Sequence, residues 1–429
     1  MTSNNVLGLN ARNRLFLSSN KKEGRRIADS KLLTKRLLRK NHLPTPAILA
    51  IFRNPKDIMD FPWETLPENF VLKPSKGFGG QGVMMVKKKA KWAGEWYLMD
   101  NSLVRIEDLR FHALEILSGR FSLHNGSDVA FIEERIKIQK IFAKYVWHGA
   151  PDIRVIVFNK VPVAAMLRLP TRASRGKSNL HQGAIGVGVD LATGITTHGV
   201  LEGHFIKYIP ETKRKINGLK VPNWSNILTL AVQTQEAVPA LGYLGVDIVL
   251  DKNRGPMILE LNARPGLEIQ NANRAPLKKR LERIEGLEVK DAEHGVRIAK
   301  SIFAERFADR VMAEEGIKTI DVWETVKVLA GDRKKFEVKA KIDTGAWKTS
   351  IDKDLAENLG IMKTSNILWT KIYKSSLGEE KRQVINLTFF LAGRKIETIA
   401  NIATRKNLRT SLIIGRRDLE GFLIKPGRV

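Results

Sequence analysis

Apolar residues recur at helical spacing from Ile27 to Lys40, at Ile27, Leu32, Leu33, Leu37 and Leu38, until Pro44 and Pro46 stop the run. An amphipathic helix followed by a loop is predicted there. The period changes at Phe70-Val71-Leu72-Lys73, which reads as a strand entering Pro74-Ser75-Lys76-Gly77-Phe78-Gly79-Gly80-Gln81-Gly82, with Val83-Met84-Met85-Val86 as the returning strand. Further strands are predicted at 129–132, 153–158 and 161–169, then a loop rich in Arg, Ser and Gly at 171–183 and a helix at 224–241. Residues 241–267 read as two apolar strands joined by a polar turn, and 282–314 as charged and helical. Beyond a junction placed at 305–320, short strands at 322–329, 336–342, 384–390 and 412–414 predict a small β domain of about 110 residues, a size able to fold alone.

Composition adds bounds. The chain has 429 residues, 43% hydrophobic and 28% charged, an ordinary balance for a globular protein with room for two or three domains. It has no cysteine, which excludes disulfides, thiolate metal sites and cysteine nucleophiles. No apolar run approaches the roughly 18 to 20 residues of a membrane span, and the N-terminus lacks the apolar core of a signal peptide. A cytoplasmic location without membrane partners is the resulting expectation. The formal charge is +28; from Gly316 onward 23 Lys and Arg face 13 Asp and Glu, so both parts of the chain are basic. Such a field attracts nucleotide phosphates, carboxylates, nucleic acid or acidic protein without choosing among them.

The residue pattern narrows that choice. Glu260 and Asn262 alternate with Ile258, Leu259 and Leu261 and so share one strand face, and Asp247 lies on the preceding strand. Two carboxylates and an amide oxygen on a hairpin suit Mg²⁺, although a solvated sheet face has the same composition. The glycine-rich tip can turn several backbone amides toward phosphate, with Lys31, Lys73 and Lys76 near it in sequence. Its spacing fits neither the P-loop nor the dinucleotide fingerprint. Arg168, Arg172, Arg175 and Lys177 crowd the next strand end and loop. His198, Glu202 and His204 match no protease-type zinc spacing and read as turn or edge-strand residues. In the last part, Lys341-Ile342-Asp343-Thr344-Gly345-Ala346 places a carboxylate after a strand, followed by a hydroxyl and a turn glycine. This is the shape of half an aspartic-protease site, which requires a second copy to complete it.

In combination, LGLNARN from Leu7, DSKLLTK from Asp29, VLKPSKGFGGQG from Val71, IEERI from Ile132, DIRV from Asp152, SNLHQGA from Ser178, GVDIVLD from Gly245 and ELNARPGLEIQNANR from Glu260 resemble the ATP-grasp superfamily, and within it RimK-type α-L-glutamate ligases. The resemblance covers about residues 6–285. It implies an α+β ATP-grasp fold, two subdomains gripping ATP, with 1–60 as an N-terminal segment and helix and 61–305 as the ligase domain. It implies that Lys31 and Lys73 contact phosphates, that the loop from Ser75 to Gly82, with Gly79 and Gly80, closes over them, and that Glu133 and Ile136 lie in the hinge around adenine. Glu134 and Arg135 would supply backbone there. Asp247, Glu260 and Asn262 would hold Mg²⁺, two ions being expected and Mn²⁺ an alternative. Arg168 and Asn179 would face the γ-phosphate and an acyl phosphate, and Arg154 or Arg264 a substrate carboxylate.

After a linker at 306–319, residues 320–429 resemble the retropepsin-like domain of the family named ATP-dependent zinc proteases, related to RimB. The resemblance rests on KIDTGA and on LIIGRRDL from Leu412. It implies a small all-β barrel in which Asp343 is catalytic, Thr344 buttresses the dyad and Gly415 packs behind it. Trp347 stands where that family continues with Lys-Thr-Ser, and no zinc site is evident. The expected protein is a ligase joining glutamate to a peptide or protein acceptor, fused to a peptidase that acts on the product and forms a homodimer. Two rivals remain: a ligase whose last domain only dimerises or docks substrate, and a nucleic-acid or ribosome binder, which no RNA-binding motif supports.

Overall fold

In the computed structural model the chain divides into two compact units, Met1–Val296 and Arg297–Val429. The structure describes residues 6–77, 79–122, 126–303, 318–375, 378–404 and 410–425. The expected linker at 306–319 falls, as far as residue 317, outside the described residues. No helix among the described residues is long and apolar enough to cross a membrane.

The first unit is built on two antiparallel sheets. One contains β1 (Ile48–Phe52), β2 (Phe70–Pro74), β3 (Met84–Lys89), β4 (Glu95–Leu98), β5 (Leu103–Arg105) and β6 (Ala130–Glu134), in the order β1-β6-β2-β3-β4-β5. Phe70 pairs with Val86 and Leu72 with Met84, so the glycine-rich segment is the connection of a β2–β3 hairpin, as its turn residues predict. Helix Ile106–Leu117 buries Ile106, Leu109, Ala113 and Ile116, one stripe at helical period, in a core with Trp63, Phe70, Leu72 and Trp96.

The other sheet contains β7 (Asp152–Phe158), β8 (Val161–Leu169), β9 (Ile185–Val189), β10 (Thr196–Leu201), β11 (His204–Ile206), β12 (Tyr243–Asp251) and β13 (Gly255–Asn262), in the order β11-β10-β9-β8-β7-β12-β13. Every residue of β8 and β12 is buried, which explains their nearly continuous apolar runs. Asp247 pairs directly with Glu260 across the β12–β13 hairpin.

Two predicted helices end differently from their period. The run at 27–40 is two helices, Lys22–Ala28 and Lys31–Lys40, broken where the Ser30 side chain caps the second by accepting from the amide of Leu33. The helix expected to reach 241 spans Trp224–Ala237, because Pro239 disfavours helical geometry in the residue before it.

The second unit contains β14 (Lys318–Asp321), β15 (Trp323–Leu329), β16 (Lys335–Asp343), β17 (Ser350–Asp352), β18 (Ile367–Ser375), β19 (Gly378–Leu391), β20 (Arg394–Ala403), β21 (Leu412–Gly415) and β22 (Phe422–Lys425). Its main sheet runs β15-β16-β21-β17-β20-β19-β18, and an additional β15–β19 pairing closes six of these strands into a barrel with β18 outside it. Val326, Val328, Ile342, Phe389 and Ile414 belong to its core.

Candidate functional site

A cavity of about 830 Å³ in the first unit is lined from both sheets, within the range of small-molecule sites. From the first sheet come Lys73 and Glu133, followed by Glu134, Arg135 and Ile136. From the second come Arg154, Arg168, Asp247, Glu260 and Asn262, with Arg264 just beyond the strand. Lys31, Gly79, Gly80 and Asn179 complete the set. Thus residues spread from 31 to 264 in sequence surround one space.

Ser75 and Gly82, expected in the closing loop, do not line it. Ser75 is buried, its carbonyl accepting from the Lys31 amide at 2.9 Å and its hydroxyl lying 3.0 Å from that of Ser30. It therefore anchors the helix carrying Lys31. At Gly82 the backbone has φ +67°, and a Cβ would lie 2.6 Å from the Phe121 ring, so glycine serves close packing here. The loop tip is tied down by Asn179 Nδ2 and Gln182 Nε2, each donating to the Gly79 carbonyl at 3.0 Å.

One end of the cavity holds a buried network of alternating charge. Asp247 accepts from Arg154 Nε at 2.7 Å, Arg154 Nη2 at 2.6 Å and Arg168 Nη2 at 2.7 Å, while Arg168 also binds both oxygens of Asp152. Burial raises the carboxyl pKa of Asp247, but the two guanidinium groups outweigh it and hold the group well below the usual range. Burial pushes Asp152 up to about 6 despite Arg168, and the Asp247 charge adds to the rise. A first proton entering this pair therefore goes to Asp152.

Residues 10–286 match the family model for sugar-transfer associated ATP-grasp proteins. The chain belongs to that ATP-grasp family. Comparison with curated proteins returns no match. Among solved structures, the chain is similar to the ATP-grasp ligase PsnB in complex with a minimal precursor, at 16% identity and a TM-score of 0.32, covering 62% of this chain and 62% of that one. It is similar also to a biotin carboxylase from Campylobacter jejuni, at 14% identity and a TM-score of 0.39, covering 64% of this chain and 50% of the other. The chain thus spans less than two thirds of either. Its similarity to simian foamy virus protease covers 23% of this chain and 90% of that one, at 21% identity and a TM-score of 0.18.

The donor set of the ATP-grasp cavity fits a hard divalent cation. Glu260 presents a carboxylate whose side chain is about one third exposed, and Asn262 lies beside Asp247, its Nδ2 3.2 Å from Asp247 Oδ2. Asp247 is different, because both of its oxygens already accept guanidinium protons. Asp247 Oδ1 accepts one guanidinium bond, which leaves it a lone pair for an ion, but the residue is buried, so Glu260 is the more openly placed donor.

Glu133 lines the cavity with a carboxylate that is already paired. It is buried with its carboxylate between two lysines, Oε2 lying 2.8 Å from Lys35 Nζ and Oε1 paired with Lys73. Its side chain is therefore committed to charge pairing, while Arg135 and Ile136 line the cavity beyond the end of β6. Lys35 was not predicted; its only sequence signal is a lysine three residues from Leu32 and from Leu38 on its helix. Lys31 Nζ donates to the Gly77 carbonyl at 2.6 Å and lies 3.6 Å from Glu260.

In the second unit, Asp343 ends β16 with its Oδ1 accepting from the amides of Gly345 at 2.9 Å and Ala346 at 3.2 Å. Parallel pairing sets Gly415 beside it. A Cβ at Gly415 would lie 2.5 Å from the backbone of Lys348, so the position requires glycine. Thr344 is exposed, and the exposed ring of Trp347 lies under the Arg416 guanidinium at 5.2 Å.

Proposed function

We propose that the first unit is an ATP-dependent carboxylate–amine ligase of RimK type, which activates glutamate as an acyl phosphate and transfers it to an amine on a peptide or protein. The observation that supports this best is the convergence of Lys31, Lys73, Glu260, Asn262, Arg154 and Arg168 on one cavity in an ATP-grasp chain. The ammonium groups of Lys31 and Lys73 meet nucleotide phosphate. Arg154 and Arg168, fixed by Asp152 and Asp247, present positive charge where a phosphoryl group passes to a carboxylate, a reaction that needs charge stabilisation more than a protein nucleophile. Mg²⁺ held by Glu260 and Asn262, with Asp247, would neutralise phosphate charge. Asn179 and the Gly79–Gly80 tip cover the transferring end, and Arg264 remains for a substrate carboxylate.

The second unit is read as a retropepsin-like half-site that acts on the ligase product when two copies bring their Asp343 residues together. The family's association with sugar transfer motivates a second acceptor class for the test, an amine carried on a sugar.

The test is ADP release by the full chain with Mg²⁺ and ATP, screened over amino acids with peptide, protein and amino-sugar acceptors. Glutamate-dependent release with a peptide acceptor is expected, lost in Glu260→Ala and on chelation of the metal. Turnover only with amino sugars would replace the peptide reading, and no nucleotide binding would end the ligase reading. The peptidase reading fails if Asp343→Asn leaves product length unchanged.

A further inference from the structure

Lys35 has no access to the cavity, yet it belongs to the charge cluster that includes Lys73. Its side chain is wholly buried on helix Lys31–Lys40. Its ammonium is ion-paired with Glu133 Oε2 at 2.8 Å and donates to Thr45 Oγ1 at 2.9 Å and the Pro46 carbonyl at 3.2 Å. Glu133, pinned in this way, pairs through its other oxygen with Lys73, which does line the cavity. Helix, loop, β6 and β2 thus meet at one carboxylate.

The charge count gives this arrangement its meaning. Among its direct contacts, one lysine neutralises Glu133 and the second leaves a surplus positive charge in a largely buried cluster, where an unmatched charge is costly. We propose that Lys35 is a positioning residue for nucleotide: through Glu133 it fixes Lys73, and the surplus charge it adds is matched when an anionic phosphate meets Lys73, so that binding is linked to proton uptake. This rests on the nucleotide-binding reading of the cavity.

The groups that act on Lys35 agree with the geometry. Burial lowers its pKa to about 8, Glu133 and Glu134 oppose the fall, and Lys73 adds to it. A polyphosphate at Lys73 favours the charged form of Lys35, so nucleotide affinity should fall as pH rises from 7 to 9.

The experiment titrates Mg²⁺ with a non-hydrolysable ATP analogue into the full chain by calorimetry, at several pH values and, at pH 8, in two buffers of different ionisation enthalpy. The wild type should take up a fraction of a proton per nucleotide bound. Lys35→Met should bind on the order of tenfold more weakly at pH 7, the affinity equivalent of one unit in a linked pKa, with its proton uptake near pH 8 lost. A merely structural Lys35 would lower the melting temperature and leave that linkage in place, which overturns the proposal. If Lys35→Met does not fold, the wild type alone decides: a flat affinity from pH 7 to 9 without proton uptake overturns it. Nucleotide binding without linkage removes this inference and keeps the ligase reading, whereas no nucleotide binding removes both.

Discussion

Asp247→Asn and Glu260→Gln should both abolish ADP release, but only the first should destabilise the protein. Asp247 is 1% exposed and takes three guanidinium hydrogen bonds at 2.6–2.7 Å. In Asp247→Asn, Arg168 keeps both bonds to Asp152, while Arg154 is left facing a neutral amide. Removing one partner of a buried ion pair costs about 3–5 kcal/mol. The Arg154 side chain is 12% exposed and lines the cavity, so water relieves part of that cost, and about 3 kcal/mol is expected. At roughly 2–4 °C per kcal/mol for a large domain, the first unit should melt about 6–12 °C lower. Glu260 has a side chain 35% exposed, and its contact with Lys31 is long at 3.6 Å, so Glu260→Gln should change stability by less than about 1 kcal/mol. Thermal scans without nucleotide, beside the ADP assay, make the comparison. Equal melting temperatures for wild type and Asp247→Asn would refute the buried network, and an equal drop in both variants would refute the distinction between them.

Two further substitutions probe the walls of the cavity. In Gly149→Ala the new Cβ would lie 1.9 Å from the Gly176 carbonyl oxygen, and both residues line the cavity, so their backbones must part. A loss of about 1–3 kcal/mol with a nucleotide KM raised about tenfold is expected, and an unchanged KM would show that these loops do not shape the nucleotide site. Glu133→Gln tests the lysine pair by its pH dependence. Burial raises the Glu133 pKa, but Lys73 and Lys35 outweigh it and leave it below the ordinary 4.5, so its stabilisation is complete above that value and lost as pH falls through the lower folded one. In urea titrations the gap between wild type and Glu133→Gln should be widest above pH 5 and narrow in acid; a constant gap would contradict the charge pairing.

Much of this architecture was readable from period and turn chemistry. The apolar runs of β7, β8 and β12 mark strands because these strands are almost wholly buried, and the β2–β3 and β12–β13 hairpins join chain neighbours. Strands β9 to β11 escaped prediction: Gly186, Gly188 and Gly199 interrupt the apolar pattern, and each is closely approached, Gly188 by backbone. A Cβ would lie 2.9 Å from the Met166 sulfur at Gly186, 2.3 Å from the Ala272 carbonyl at Gly188 and 2.7 Å from Ile216 at Gly199. Such closeness arises from partners distant in sequence and leaves no periodic trace. The break at Ser30 was missed for another reason. Apolar residues continue across it, and only the capping hydroxyl marks the end of one helix and the start of the next.

At the site, residue type proved more legible than pairing. Asp247, Glu260 and Asn262 form one motif in sequence, yet Asp247 is buried and bound by two arginines while Glu260 is the more exposed on the cavity. A carboxylate on a strand meets positive charge equally well from a guanidinium or from a metal ion, and alternation along the strand is the same for both. Lys35 makes the point from the other side. Its spacing from Leu32 and Leu38 places it on a buried stripe, where a lone lysine predicts a misfit until a carboxylate nearly a hundred positions away is seen to meet it. What decides each case is which side chains the two sheets bring within hydrogen-bonding distance, and that depends on the tertiary crossing of β2, β6, β7 and β12 rather than on any single segment.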